Sequence, residues 1–296
     1  MGQMLARRAV WLVLAFAAAA ATLYGQAGAR ERALFVSAVD SKGEPVEGLS
    51  VNDFIVTEDG RRREVLRVSR AVEPMAITLL IDNSAAADDV ISLYRAALPK
   101  FVARMAMDGN QIAIIGLAAR PTVLVDYTPN VRQLEQGIGR IFAQTNDGMT
   151  LLDGLVESST GLRRREETRA VLVPIVTDGT EFSNRYSRDV IAAIRAAGAS
   201  LHAVTIGNFP VVTDIQRERE FTIAGGARDT GGQRIMLLTE LGLDDALQKL
   251  ARQLSSQYKV VYGRPESFLP PEDIEVMSAR PGVTMRGTPA RGQTGA

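Results

Sequence analysis

Four near-continuous apolar runs constrain the fold of this 296-residue chain more than any other feature. They cover residues 76–82, 111–117, 170–178 and 200–207, and small or polar residues stand at their ends. Such runs are typical of parallel strands that helices cover on both faces. Amphipathic helical patterns lie between the runs. This alternation predicts an α/β fold over residues 74–256, with a doubly wound, mostly parallel sheet.

Two features of this region bear on where its helices and strands begin and end. Pro99 stands inside the pattern that runs from Val90 to Met105, so we expect that helix to end or kink there. The glycine-rich segment GGARDTGGQ covers residues 225–233. It lacks the Lys-Ser or Lys-Thr pair of a phosphate-binding loop, so we predict a turn ahead of a strand at 234–238.

Strand-like sequence flanks the α/β region on both sides. Asp59-Gly60 joins two alternating runs in the first flank, which predicts a hairpin. We predict that residues 28–73 and 257–286 together form a small β-sandwich, into which the α/β domain is inserted. Residues 287–296 contain almost nothing that could be buried, so we expect a disordered tail there.

The first 27 residues resemble a secretory signal peptide. Arg7 and Arg8 precede an uncharged run from Ala9 to Leu23, and small residues surround the predicted cleavage site after Ala27. The apolar run is shorter than the roughly 18 residues that span a bilayer. We therefore expect an exported protein, periplasmic or extracellular, with no stable membrane span after cleavage.

Composition excludes several classes of function. The chain has no cysteine, which excludes disulfides, thiolate nucleophiles and cysteine-ligated metals. It has 34 basic and 34 acidic residues, so it lacks the positive field of a general nucleic-acid binder. The single histidine, His202, alternates with apolar neighbours and is interpreted as a core residue. Any metal site must therefore be built mainly from oxygen ligands.

Four oxygen-bearing residues follow strands or loops at one edge of the predicted sheet. Asp82 and Ser84 follow the first strand, Thr150 follows a glycine-containing turn, and Asp178 ends the third strand. Ligands of open α/β sheets bind outside the carboxyl ends of the strands. Carboxylate and hydroxyl oxygens suit a hard cation. Asp82, Ser84, Thr150 and Asp178 are therefore the predicted metal ligands, although solvated strand ends and helix capping are the alternatives.

The order strand-DxS, G-x-T and strand-TDG resembles the metal-ion-dependent adhesion site of the von Willebrand factor type A domain. The flanking texts SKGEPVEGLSVNDFIVTEDG, SQYKVVYGRPES and IEV resemble exported bacterial proteins related to that domain. The resemblance covers roughly residues 34–283 and implies an Mg²⁺ site, with Mn²⁺ or Ca²⁺ as substitutes. The family motif D-x-S-x-S has a second serine where this chain has Ala86, so weak or no metal binding is expected. Asp88 or Asp89 could replace that serine, although helix capping is their alternative role.

The resemblance implies a non-enzymatic adhesion or protein-interaction module, in which the cation binds an acidic side chain of a protein partner. A metal-free scaffold that binds partners by its surface is the main alternative. A haloacid-dehalogenase-like phosphotransferase is a further alternative. That class needs a second acid two residues after its nucleophile, where this chain has Ser84.

Overall fold

The computed structural model describes residues 29–145, 148–165, 167–209, 211–265 and 271–290. The predicted signal peptide and residues 291–296 of the predicted tail lie outside these ranges. The strands are β1 Ala29–Val39, β2 Phe54–Glu58, β3 Arg61–Arg63, β4 Val65–Arg70, β5 Met75–Ile81, β6 Gln111–Leu117, β7 Pro121–Thr128, β8 Arg169–Thr177, β9 Ala199–Ile206, β10 Gln233–Leu237, β11 Tyr258–Pro265, β12 Ile274–Ser278 and β13 Thr284–Pro289. The α-helices are α1 Ile91–Ala106, α2 Val131–Gly139, α3 Leu151–Arg165, α4 Ser187–Ala196, α5 Asp214–Asp229 and α6 Leu243–Ser255.

The central sheet has the strand order β10-β9-β8-β5-β6-β7, in which only β7 is antiparallel to its neighbour. Every residue of β5, β8 and β9 is buried. Side chains of α1, α2 and α6 pack on one face of the sheet, and those of α3, α4 and α5 pack on the other. This arrangement explains the continuous apolar runs, because both faces of each strand are covered. The predicted doubly wound, mostly parallel sheet is confirmed.

Three local features of this region differ from the expectations. The helix α1 does not end at Pro99 but continues to Ala106. The first half of the segment 225–233 is the end of α5, and the turn is confined to residues 230–232 before β10. Gly226 lies within this helix, and close packing favours glycine there because a β-carbon would lie 2.9 Å from the Leu201 side chain. The edge strand β7 was not predicted, because its outward residues are exposed and its apolar run is short.

The flanking segments form two packed antiparallel sheets, with strand orders β13-β1-β11-β4 and β12-β2-β3. The predicted hairpin is present between β2 and β3, with positive φ angles of 48° at Asp59 and 73° at Gly60. Apolar residues from both sheets share one core, which includes Leu34, Phe54 and Val276. The predicted sandwich of N- and C-terminal strands is therefore part of the fold.

One boundary of the sandwich is corrected by the structure. Residues 287–289, predicted to belong to the disordered tail, lie in β13 and pair with β1, with Gly287 opposite Val36. Backbone pairing and a hydrogen bond from the Thr288 hydroxyl to the Thr230 carbonyl, at 2.8 Å, hold this segment. Apolar burial, the signal used for the prediction, is not what orders it.

No helix within the described ranges is both long enough and apolar enough to cross a bilayer.

The single histidine of the chain is buried in β9. The Nε2 atom of His202 lies 3.2 Å from the Ser200 hydroxyl, and no described residue hydrogen-bonds its Nδ1. Burial, and secondarily the charge of Arg286, lower the pKa of His202 from 6.5 to about 3. The His202 imidazole is therefore neutral in the folded protein at neutral pH.

We predict that His202 makes folding stability fall in mild acid. Because its pKa is lower in the folded chain than in the unfolded chain, its stabilising contribution is present above pH 6.5 and is lost as the pH falls toward 3. The loss should be about 1.4 kcal/mol per pH unit between pH 6 and 4, relative to His202→Gln. Chemical denaturation of both proteins across this range measures the difference. Parallel pH profiles for the two proteins would contradict the prediction.

Candidate metal site

The Asp82 carboxylate is buried between the ends of β5 and β8. Its Oδ1 accepts a hydrogen bond from the Ser84 backbone N–H at 2.9 Å. Its Oδ2 accepts from the Thr177 backbone N–H at 3.1 Å and from the Thr177 hydroxyl at 2.5 Å. The carboxylate is fully buried, so these bonds replace the water that it loses on folding. They fix the orientation of Asp82 at the carboxyl edge of the sheet.

Ser84 lies next to this carboxylate, and its hydroxyl oxygen has no hydrogen-bond partner among the described residues. The residue is fully buried and stands at the N-cap position of a 3₁₀ helix, Ala85–Val90, but its side chain does not cap that helix. A buried hydroxyl without a partner costs about 1–3 kcal/mol. The Ser84 oxygen is therefore available to a ligand such as a cation.

Gly179 packs directly on this pair. A β-carbon on residue 179 would lie 2.7 Å from the Ala86 Cβ and 3.4 Å from both the Ser84 Oγ and the Thr177 Oγ1. The methyl group of Ala86 thus lies in the same cluster as the Ser84 and Thr177 hydroxyls. Glycine is required here because a larger residue would displace the cluster.

The two other predicted ligands stand at neighbouring positions of the same edge. The Thr150 hydroxyl is buried and donates a hydrogen bond to the Ala118 carbonyl at 2.9 Å, which leaves its oxygen lone pairs free. The Asp178 side chain is exposed and lies against Gly207, where a β-carbon would be 2.9 Å from its Oδ2. Asp82 and Ser84 are therefore in contact, whereas Thr150 and Asp178 contact the loops on either side of them.

The donor set fits a hard cation. Two carboxylates and two hydroxyls are oxygen ligands of the kind that Mg²⁺ prefers. Within the described ranges, no three side chains of the types His, Cys, Asp and Glu group together as a metal site. A cation at this edge would therefore depend on the Ser84 and Thr150 hydroxyls as well as on the aspartates.

The sequence interpretation missed Thr177, which is the principal partner of Asp82. Its position directly before Asp178, at the end of a buried strand, was a usable signal. It also missed Glu181 and Arg219, which lie buried beside Gly179. Arg219 donates a hydrogen bond to the Gly179 carbonyl at 2.5 Å. No local pattern marks this arginine, because the contact joins residues 40 positions apart.

The carboxylate of Glu181 is almost completely buried. Its Oε1 accepts from the Ser183 backbone N–H at 3.1 Å, whereas its Oε2 has no partner among the described residues. Burial raises the pKa of Glu181 above its usual value, and hydrogen bonds from Ser183 and the charge of Arg219 oppose that rise.

Exposed aromatic residues flank the site. Phe142 is 61% exposed, and its carbonyl accepts a hydrogen bond from the Asn83 side chain at 3.3 Å. Phe182 is 58% exposed, and its N–H donates to the Met149 carbonyl at 2.7 Å, directly before Thr150. Tyr186, on the same loop as Phe182, is 65% exposed. We call Phe142, Phe182 and Tyr186 the aromatic rim.

We predict that Thr177→Val weakens the anchoring of Asp82. The substitution removes one hydroxyl donor from a buried carboxylate, so the free energy of unfolding should fall by about 1–3 kcal/mol. Thr122→Val is the control, because the Thr122 hydroxyl is exposed on the edge strand β7 and should contribute less than about 0.5 kcal/mol. Urea denaturation of both variants measures the two losses. Equal losses would show that Asp82 does not depend on this bond.

No protein-family model matches the sequence, and no curated protein matches it. Among solved structures, proximal thread matrix protein 1 from the mussel byssus covers 67% of this chain at 15% identity, with a TM-score of 0.51. A second structure of that protein, with a zinc-occupied MIDAS motif (the metal-ion-dependent adhesion site), gives a TM-score of 0.50 at 14% identity over 67% of this chain. The matches cover 49% of the mussel protein's own length.

The vWF domain of the type V pili tip protein Mfa5 from Porphyromonas gingivalis matches 62% of this chain and 96% of its own length, at 12% identity and a TM-score of 0.49. At such identities the likeness to the mussel protein establishes the fold alone. The sheet order, the helices on both faces and this likeness agree with one another. Residues 75–255 of this chain have the fold of a von Willebrand factor type A-related domain.

Proposed function

We propose that this chain is an exported protein-interaction module that binds its partner at the carboxyl edge of the central sheet. The observation that carries the proposal is the Ser84 hydroxyl, which is buried beside the Asp82 carboxylate and has no partner within the described residues. An unsatisfied oxygen at a strand end, bordered by the aromatic rim, supports ligand binding rather than a purely structural role.

In the leading form of this proposal, Asp82, Ser84, Thr150 and Asp178 hold Mg²⁺. The cation would supply the positive charge that attracts an acidic side chain of a protein partner. The zinc-occupied MIDAS motif of the mussel protein supports this form, since that protein shares the fold. The four residues of this chain would then bind and orient the cation, while the aromatic rim provides apolar contact around it.

In the second form, the same edge binds a partner without metal. Ala86 favours it, because a methyl group occupies the place of the second motif serine and cannot ligate a cation. The aromatic rim is independent of metal and offers Phe and Tyr side chains, which are enriched at protein interfaces.

We propose that neither form involves catalysis. The haloacid-dehalogenase-like alternative requires a second acid at position 84, but this position carries the Ser84 hydroxyl instead. Export is proposed from the signal-like sequence of residues 1–27, and the compartment would be periplasmic or extracellular.

We predict that Ala86→Ser tightens Mg²⁺ binding by about tenfold, because it restores a hydroxyl ligand. Isothermal titration with Mg²⁺ and Mn²⁺ compares it with the unmodified chain. Ala85→Ser is the matched control, since Ala85 is the preceding alanine and is also exposed. Asp82→Ala should abolish binding. Equal affinities for Ala86→Ser and Ala85→Ser would show that residue 86 does not supply a ligand, and absence of Mg²⁺ binding by every variant would reject the four-ligand cation site in favour of the metal-free form.

We predict that the aromatic rim is needed for partner binding. Phe142→Ser and Phe182→Ser remove exposed aromatic contact area and should each lower the amount of captured partner by roughly fivefold or more. Val123→Ser is the control, because Val123 is 63% exposed but lies on the edge strand β7. Pull-downs from envelope extract, with and without EDTA, compare the three variants. A partner retained in EDTA supports the metal-free form. Capture by both phenylalanine variants in the same amount as by Val123→Ser contradicts the prediction.

A further inference from the structure

A buried arginine contacts the loop that follows β8, next to the proposed cation site. Arg219, in the first half of α5, is only 1% exposed. Its Nη1 donates to the Gly179 carbonyl at 2.5 Å, and its guanidinium carbon lies 4.7 Å from the centre of the Phe209 ring. Its Nε has no hydrogen-bond partner among the described residues. A cation taken out of water in this way needs negative charge nearby.

Short contacts connect this guanidinium to the site. Gly179 accepts the hydrogen bond from Arg219 and also packs against the Ala86 methyl and the Ser84 hydroxyl. Ser84 in turn donates its backbone N–H to Asp82. A single residue, Gly179, therefore separates the arginine from the oxygen atoms that would ligate a cation.

The charges around Arg219 are mostly those of the site. Burial lowers the pKa of Arg219, and four carboxylates oppose this, in the order Glu181, Glu220, Asp178 and Asp82. Glu220 already forms an ion pair with Arg234. The carboxylates left to balance Arg219 are Glu181, which is buried beside it, and the two aspartates of the site.

We propose that Arg219 is the resident counter-ion of this site: its fixed positive charge balances Asp82, Asp178 and Glu181 in the metal-free chain and lowers the affinity of the site for a divalent cation. The inference rests on the proposed function, because it concerns the same edge of the sheet. Arg219 is too deeply buried to contact a partner, so it acts through the electrostatic field at Asp82 and Asp178.

The physical reason is the competition between two cations for the same carboxylates. A guanidinium stays charged at any physiological pH, and it cannot leave a buried position when a metal arrives. A divalent cation entering this site would therefore experience repulsion from Arg219 at low effective dielectric. Ala86 removes a ligand, whereas Arg219 removes part of the net negative charge, so the two residues weaken metal binding independently.

The test is the Mg²⁺ affinity of charge variants of the full chain, measured by isothermal titration at pH 8. Alkaline pH is chosen because burial raises the pKa of Glu181. Arg219→Gln removes the positive charge and should tighten Mg²⁺ binding by about tenfold. Arg219→Lys keeps the charge and should bind like the unmodified chain. Glu181→Gln removes a negative charge and should weaken binding by a similar factor.

Arg169→Gln is the matched control for the loss of a buried arginine. Arg169 is 6% exposed and stands at the opposite end of β8, where it donates to the Glu73 and Leu254 carbonyls. Its substitution should lower stability without changing Mg²⁺ affinity. Thermal unfolding in EDTA and in Mg²⁺ gives a second readout: Mg²⁺ should raise the Tm of Arg219→Gln more than that of the unmodified chain.

Each variant is also made with Ala86→Ser, so that the two proposals fail in different ways. Tighter binding by Arg219→Gln, opposite to the effect of Glu181→Gln, supports the counter-ion role. If Ala86→Ser binds Mg²⁺ but Arg219→Gln leaves that affinity unchanged, Arg219 is only structural and the inference is overturned. If no protein binds Mg²⁺, the cation site and the counter-ion role are both rejected. If Arg219→Gln does not fold, the double variant Arg219→Gln/Glu181→Gln takes its place, and an affinity no tighter than that of Glu181→Gln alone overturns the inference.

Discussion

The hydrogen bonds between Asp82 and Thr177 are the constraint on which the carboxyl edge of the sheet depends. They join the ends of β5 and β8. They also give the buried Asp82 carboxylate the hydrogen bonds that water would otherwise supply. The same carboxylate accepts from the Ser84 N–H, which positions the start of the following 3₁₀ helix. Asp82 thereby holds the Ser84 backbone beside it, and Gly179 packs against the Ser84 hydroxyl. The geometry of the edge is thus set by backbone and side-chain donors already present in the chain.

Charge balance at this edge is the second determinant. Asp82 and Glu181 are buried and Asp178 is exposed, and without a cation nearby their negative charges would repel one another. Arg219 lies beside the same loop and supplies one positive charge. In the proposed counter-ion arrangement, the charge of Arg219 would let this edge stay folded without metal. The two forms of the proposed function therefore differ in how much charge remains for a second cation to neutralise.

Sequence predicted the parts of this structure that depend on local pattern. The parallel strands were recognisable because successive residues such as Leu79 and Leu80 are apolar and are buried on opposite faces of the sheet. The hairpin was recognisable because Asp59-Gly60 is a dipeptide that readily adopts the positive φ angles of its turn. Asp82 and Ser84 were found because they follow a buried strand. Arg219 could not be found, since its contact with Gly179 depends on how α5 packs against the sheet. Of the two outcomes expected at Pro99, an end or a kink, the end is wrong, because α1 continues to Ala106.

The insertion of the α/β domain between β4 and β11 has a consequence for the order of folding. Strand β1 pairs with β11 and β13, so Leu34 must meet Val260 across more than 200 intervening residues. Closing so long a loop in an unfolded chain is entropically costly and slow. Arg70 and Tyr258, at the two junctions of the insert, are paired neighbours in the finished sheet. We therefore expect the α/β domain to fold first and to bring the two halves of the sandwich together, so that β1 pairs with β11 only afterwards.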